Sequence, residues 1–393
     1  AVTLISREIN VPYSGLLPGF IAGIYNAQDI YIDLRPLAQF AKARIIQEDI
    51  EKIDLNSKEV ILPDRPNISF DLLSLIIGSE PNLSLIPGAQ DHCIGSKPLT
   101  KFLKLWPQLL ERATNTLAQN QQFKFAIVGG GPASIELAFS IQHRLKNNSN
   151  LESAKQSNLQ IQVISAENTL LKFHNNRVQS FTAKELANRN IDVLLKTKMS
   201  ACEAGIIVCE DQTRLEADAI ICATGASLPS WPVECGLGIS QDGFIEVDST
   251  LKSTSHDYVF AAGDSATIKG QTRPKSGVYA VRQGIPLAKN LIRQATNKRL
   301  VSYKPQTHAL ALMNTSNKTA IASRGSFFMH GRLAWIVKNR IDINFVKKYS
   351  NLPQMNQKLD LAKGLADNKT EELLKSHAMR CAGCGAKIAN SVL

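Results

Sequence analysis

Residues 125–138 read FAIVGGGPASIELA. An apolar run of strand length stops at three glycines and passes at once into a helix-forming stretch. That order predicts a strand over Lys124–Val128, a tight turn over Gly129–Gly131 and a helix over Ala133–Leu145. A chain built this way folds most simply as α/β, with the strand in a parallel sheet. Gly129 permits the turn, and Gly131 lets the backbone approach a pyrophosphate resting on the helix N-terminus. Ser134 fills the third position of the G-x-G-x-x-G pattern, where Gly or Ala is usual, and is small enough for close helix–strand contact. Alone the pattern is weak, because an unliganded α/β domain can carry the same turn.

The rest of the chain continues the alternation. Further strands are expected at Leu159–Ile164, Ile191–Leu195, Ile206–Cys209 and Ala219–Cys222, with a helix over Val178–Asn188. Upstream, residues 1–6, Ala43–Ile46, Val60–Leu62 and Leu72–Ile77 read as strands and Leu99–Ala118 as a helix. Tyr13–Gly23 reads as a loop leading into a helix, and residues 146–158 as a surface loop. Downstream come strands at Gly243–Val247 and Tyr258–Ala262, a helix from Pro274 to Gln294, and a strand pair Leu310–Met313 with Thr319–Ala322.

A weak internal repeat is present. Val2–Ser6 (VTLIS) resembles Ile161–Ser165 (IQVIS), and Leu75–Ser79 (LIIGS) resembles Ile221–Ala226 (ICATGA). In the second copy a glycine turn precedes the Ile-Ser strand. Its counterpart in the first copy falls ahead of Ala1. We therefore expect an N-terminal strand and its glycine motif to be missing, the chain being a piece of a longer protein.

Composition narrows the partners. The formal charge is +11, yet Lys and Arg form no run of five, so no nucleic-acid partner is expected. No secretory leader and no membrane span is read: the most apolar stretch, Phe125–Ile141, holds three glycines, a proline and Glu136. Seven cysteines, of which only Cys381 and Cys384 are closely spaced, suit a reducing, cytoplasmic setting.

Two further positions carry chemistry. The strand ending Val163-Ile164-Ser165 places Ser165 where an acidic residue would hold an adenosine ribose, and Glu167 lies two residues late. Arg177 reads either as a 2′-phosphate partner or as a solvated helix residue, so NADH and NADPH both stay open. YVFAAGDSA over 258–266 delivers Gly263 and Asp264 to a helix start. Asp264 there is either a helix N-cap or a ligand for a polyol hydroxyl.

In order, GGGPASIELA, ICATGASLP, VFAAGDSA and RPKSGVYAVRQG resemble the pyridine nucleotide-disulfide oxidoreductases. Within that family the chain looks most like the type II NADH dehydrogenase branch, over residues 1–348. The resemblance implies two Rossmann-like dinucleotide-binding domains: FAD-binding over 1–121 and 238–349, and NAD(P)-binding over 122–237. Asp264 would hold the ribityl chain of FAD, with Gly263 beside it, and Gly78 and Ser79 would line the cofactor. Gly225 and Lys275, inside two of the quoted motifs, count with Gly129, Gly131, Ser134 and Ser165 as cofactor-binding. Glu136 would lie near nicotinamide and flavin, and Lys97 near the flavin ring, where a cation stabilises the reduced anion. The redox CxxxxC of the disulfide-reducing members is absent, which disfavours their chemistry. Cys93 and Cys235 read as buried thiols or as counterparts of sulfide:quinone reductase cysteines. The implied activity is hydride transfer from NAD(P)H through FAD to a small acceptor, a quinone or a selenium or sulfur species. A non-redox scaffold is the alternative.

The C-terminal region adds two expectations. Leu333, Val337, Ile341, Phe345 and Tyr349 recur at steps of four, flanked by Lys338, Arg340, Lys347 and Lys348, as in a basic amphipathic helix resting on a membrane surface. Beyond a polar linker over 350–378, HAMRCAGCGAKIANSVL resembles the opening of selenide, water dikinase from residue 379 onward. Cys384 and Lys387 match its selenide-activating Cys and its Lys. No metal site is read there, because no second Cys or His pair stands near.

Overall fold

The run Phe123–Val128 is almost wholly buried, as a strand covered on both faces must be. It forms the centre of a five-stranded parallel sheet in the computed structural model, which describes residues 1–353 apart from 82, 149, 150 and 272. The spatial order is Ile94–Gly95, Ala219–Cys222, Phe123–Val128, Leu159–Ile164 and Asp192–Leu194. Val128 stands opposite Cys222 on one side and Ile164 on the other. The sheet is packed by the helices Pro132–Lys146, Asn176–Asn188 and Leu99–Ala118. The last of these turns Phe102, Trp106, Leu109, Ala113 and Leu117 into the core at three- and four-residue steps.

Two expectations are corrected here. Ile206–Cys209 belongs to a separate three-stranded antiparallel sheet, between Met199–Glu203 and Arg214–Glu216. Tight turns at Gly205 and Gln212, both at positive φ, return the chain on itself and leave no crossover helix. Residues 146–158 hold a one-turn helix, Ser153–Gln156, because Leu151 finds a place in the main core.

The remaining strands form small sheets around a second core. Thr3–Ser6 pairs in parallel with Arg44–Gln47, and Leu73–Leu75 pairs in parallel with Val259–Ala261. Val259, Phe260, Leu75 and Leu251 are buried together, with Ile5 and Ile46 packed against them. The helix Gly277–Ala295 begins after Ser276 and buries Tyr279, Gln283, Leu287 and Asn290. The segments on both sides of the five-stranded sheet in sequence thus meet around it in space. This is the mixed α/β, Rossmann-like plan expected from the motifs.

Ala311–Asn314, Ala320–Arg324 and Phe327–Gly331 form an antiparallel sheet against which the helix Arg332–Ser350 lies. The helix leaves most of the apolar stripe read from the sequence facing outward and turns in another. Ala334, Lys338, Asp342 and Val346 are buried, while Leu333 is 70% and Ile341 48% exposed. Lys338 is therefore an inward cation, donating from Nζ to Asp342 Oδ2 at 2.7 Å and to the Gly15 carbonyl at 2.6 Å. Phe345 also leaves the outer stripe and stacks on Tyr13 at 4.5 Å. Residues 1–350 form one compact unit. The tail with Cys384 and Lys387 lies outside the described residues.

Candidate functional site

Three turns from distant parts of the chain meet at Asp264. Gly263 takes a left-handed φ of +71°, and its N–H donates to the buried Gln283 side chain at 2.6 Å. That turn aims Asp264 back toward the end of Leu73–Leu75, where Gly78 is also left-handed and Ser79 is buried. Lys97, just beyond Ile94–Gly95, completes the group. Its Nζ donates to Asp264 Oδ2 at 2.8 Å and to Ser79 Oγ at 3.2 Å, and Ser79 Oγ donates to the same carboxylate oxygen at 3.4 Å. The pair is recessed but reachable, with side chains 36% and 16% exposed. Nothing lies within 4 Å of where a Cβ on Gly78 would stand. A carboxylate, a hydroxyl and a cation around open backbone suit a polyol joined to a phosphate.

Lys275 lines a cleft with Asp264, Tyr279 and Gln283. Its Nζ turns inward, donating to the Ala266 carbonyl at 2.7 Å and to Thr267 Oγ1 at 2.8 Å, and sits 3.7 Å above the Phe244 ring. Burial pulls this ammonium down to about 8, against Asp242 and Asp264.

The glycine turn after Phe123–Val128 makes a second cradle. A Cβ on Gly129, at φ +138°, would strike the Ala223 carbonyl at 2.5 Å and Ser134 Oγ at 2.6 Å. Ser134 is fully buried, and its hydroxyl has no hydrogen-bond partner. Gly131 caps the helix Pro132–Lys146 and, like Gly225 across the turn, has nothing within 4 Å of where a Cβ would stand. Both positions leave room for a bulky ligand above the helix N-terminus. Ser165 is turned inward. A Cβ on Gly130 would sit 2.4 Å from its Oγ, which accepts from the Glu167 N–H at 3.2 Å. The strand end therefore presents Glu167, paired with Lys172 at 3.0 Å, where Ser165 was expected.

Glu136 lies one helical turn further on and is not an exposed helix residue. Its Oε1 accepts the Asn314 N–H at 2.6 Å. Desolvation pushes its carboxyl up to about 7, with Lys338 and the Asn314 N–H opposing the rise and Asp342 adding to it. Tyr13 donates to Asp342 at 3.1 Å, so the first loop, the hairpin at Asn314 and the last helix share this polar cluster. Asn314, Tyr13 and Asp342 carry no motif. Only Asp342, four residues from Lys338 inside an apolar period, left a signal that a closer reading of the helix would catch.

Cys93 faces Cys202 with the sulfurs 3.4 Å apart. Cys222 and burial raise the Cys93 thiol, and burial, with Cys93 next, pushes that of Cys202 up to about 12. Cys235 lies apart, accepting the Ile53 N–H through its sulfur. Among the described residues no His, Cys, Asp or Glu cluster could hold a metal ion, and no helix is long and apolar enough to cross a membrane.

The chain is 28% identical over 280 residues to a type II NADH:quinone oxidoreductase of Haemophilus influenzae, a match covering 65% of the chain and 63% of that relative. It is 23% identical to the demethylphylloquinone reductase of a Synechocystis, over 77% of each chain. The chain thus spans less than two thirds of the first relative's length and more of the second's. Among solved structures, the sulfide:quinone oxidoreductase of Aquifex aeolicus matches with a TM-score of 0.74 at 17% identity, covering 98% of this chain and 92% of that one. NDH2 of Plasmodium falciparum matches with a TM-score of 0.74 at 15% identity, covering 90% and 94%. These two likenesses speak for the fold alone. The model of the pyridine nucleotide-disulphide oxidoreductases matches residues 1–284, most of the chain and all the motifs that build both cradles, and the chain belongs to that family.

Proposed function

We propose that the protein is a flavin-dependent NAD(P)H dehydrogenase that delivers its electrons to a quinone. The convergence of Ser79, Lys97 and Asp264 carries the reading. These residues, the open backbone at Gly78 and the left-handed turn at Gly263 fit FAD, and the cradle of Gly129, Gly131 and Gly225 fits NADH or NADPH. FAD held there would supply the redox chemistry that joins a nicotinamide hydride to the acceptor. The chain's own residues position and tune. Asp264 would accept from a hydroxyl of the ribityl chain, and Lys97, which now donates to Asp264 and Ser79, would bring a cation to the flavin side of the site. Glu136 Oε1 is held by the Asn314 N–H, which leaves Oε2 to carry a proton. A carboxyl at about 7 holds or releases that proton at working pH. Quinone is favoured over sulfur or selenium species because the curated relatives are named for quinones. The test is anaerobic bleaching of the flavin-loaded protein by NADH and by NADPH, then reoxidation by a short-chain quinone, polysulfide or selenite. No bleaching by either nucleotide overturns the proposal, and reoxidation by polysulfide or selenite alone overturns the quinone.

Two finer assignments belong to the same reading. The exposed apolar stripe Leu333, Ile336, Val337 and Ile341, with Arg340, Lys347 and Lys348 near it, suits contact with an anionic membrane surface. Vesicle flotation with and without Ile341→Glu tests it. Residues 379–393 begin a selenide, water dikinase-like domain, with Cys384 and Lys387 as its reactive pair. In the longer protein, Cys384→Ser or Lys387→Ala should abolish ATP- and selenide-dependent activity and spare flavin reduction. Normal dikinase activity in both variants sinks that assignment.

A further inference from the structure

The hydrogen bond that Glu136 accepts comes from the end of a strand whose position is set elsewhere. Ala311–Asn314 is the edge strand of its sheet, and the Asn314 N–H leaves the ladder to reach Glu136 Oε1 at 2.6 Å. The turn that follows is strained. Ser316, Asn317 and Lys318 stand in sequence at φ +62°, +49° and +54°. Few side chains favour that left-handed state, and a run of three persists only where the surroundings hold it. Ser316 N–H donates to Asn314 Oδ1 at 2.8 Å, Thr315 N–H to the Thr319 carbonyl at 3.0 Å and Thr319 N–H to the Ser316 carbonyl at 2.9 Å. Asn314, Thr315 and Ser316 are buried, and the Ser316 hydroxyl has no partner. A shift in the turn therefore moves Asn314 with it.

One side chain ties that turn to the helix that bears Glu136. Arg189 caps the C-terminus of the helix Asn176–Asn188. Its Nη1 donates to the carbonyl of Thr315, the residue after Asn314, at 2.8 Å. Its guanidinium lies 4.5 Å from the centre of the Phe139 ring, and its own carbonyl accepts from Gln142 Nε2 at 2.6 Å. Phe139 and Gln142 are buried residues of Pro132–Lys146, the helix of Glu136. Glu185 holds the other side of the fork, accepting from Arg189 Nε at 2.7 Å. A planar guanidinium can stack on a ring, pair with a carboxylate and donate to a carbonyl at once. An ammonium has no face to stack and no fixed fork.

We propose that Arg189 is a positioning residue for Glu136: it clamps the turn Thr315–Thr319 against the Glu136 helix and so keeps the Asn314 N–H on the carboxylate. The charged groups that face this carboxylate are Lys338 and Asp342 of the last helix, and Tyr13 of the first loop donates to Asp342. Arg189 reaches Glu136 through the backbone of the turn. The clamp is independent of which reaction the protein runs, while its use in the reaction rests on the reading of Glu136 as a proton carrier.

Infrared difference titration of the full chain reads the Glu136 carboxyl, whose band is assigned by its loss in Glu136→Gln. In the wild type the midpoint lies at about 7. Arg189→Lys keeps the charge and leaves one ammonium to serve both Glu185 and Thr315. Arg189→Met keeps a stem over Phe139 and loses the donors. In both, the Asn314 N–H should withdraw. Losing a hydrogen bond to the charged form should raise the proton affinity about tenfold, to a midpoint of about 8. The Asn314 amide should exchange faster in both variants. A midpoint unchanged in both overturns the proposal. A midpoint raised by Met and not by Lys also overturns it, because the charge of Arg189 would then be the cause. In the flavin-loaded protein the pH profile of reoxidation by a short-chain quinone should move with the midpoint. Reoxidation of Glu136→Gln at the wild-type rate across that profile would end the proton-carrier reading and leave the titration to judge the clamp.

Discussion

Replacing Glu136 by Gln should make the protein more stable, and only at the higher pH values. The carboxyl ionises at 4.5 in its ordinary state and at about 7 in the fold. The folded protein thus holds the proton more tightly than the unfolded chain. Below 4.5 both states are protonated and the wild type bears no cost. As pH rises from 4.5 to about 7, the unfolded chain releases the proton while the fold retains it, and stability falls. Above about 7 the loss is complete, at about 3 kcal/mol. Gln keeps the oxygen that accepts the Asn314 N–H and carries no charge. The stability difference should be near zero at pH 4.5, grow through pH 6, and level off above pH 7. Urea unfolding of both proteins at half-unit steps measures it. A difference independent of pH would refute the assignment of the cost to desolvation. A reversed sign would mean that Lys338 stabilises the carboxylate more than burial penalises it.

Asp264→Ala should weaken FAD binding by roughly ten- to a hundredfold, since a charge-assisted hydrogen bond is worth about 1.5–3 kcal/mol, and titration of the stripped protein reads it. The Lys97–Asp264 pair is partly solvated, so without cofactor the same variant should lose under about 1 kcal/mol of stability. Asp342→Asn leaves the buried Lys338 without its counter-charge and should cost roughly 3–5 kcal/mol, while Lys338→Met combined with Asp342→Leu should recover most of the loss in the same unfolding assay. Ser165→Ala should leave the NADH-to-NADPH ratio of kcat/KM unchanged, because the hydroxyl is used inside the turn. A shift in that ratio would mean Ser165 reaches the ribose. Cys93 and Cys202 should alkylate slowly with iodoacetamide at pH 8, since both thiols are raised.

The strand–turn–helix at 123–146 was legible because its cause is local. An apolar run, three glycines and a proline at the helix start act within a few residues of each other. The meeting of Ser79, Lys97 and Asp264 was legible only from the order of motifs. Nothing local joins Lys97 to a carboxylate 167 positions away. The inward turn of Ser165 was not legible, because it depends on the missing side chain of Gly130, which a pattern of glycines does not reveal as a pocket for a hydroxyl. In the last helix the apolar period marks the outer face and not the inner one. The stripe through Leu333 and Ile341 has the right spacing, but Lys338 and Asp342 neutralise each other, and the cation finds the Gly15 carbonyl 323 residues away. That pair takes the inner face and turns the apolar stripe outward.

The pairing of Leu73–Leu75 with Val259–Ala261 also sets an order of events during synthesis. The early strand leaves the ribosome long before its partner exists, and everything between them must be translated first. The five-stranded sheet, complete once Ala219–Cys222 emerges, can close while the first segment still waits. During that interval the apolar faces of Ile5, Ile46 and Leu75 have no core of their own to enter. The window in which this chain is most open to chaperones, and to misassembly with another copy, therefore lies between translation of residue 75 and residue 261. Slowing elongation in the 222–259 stretch should lengthen it.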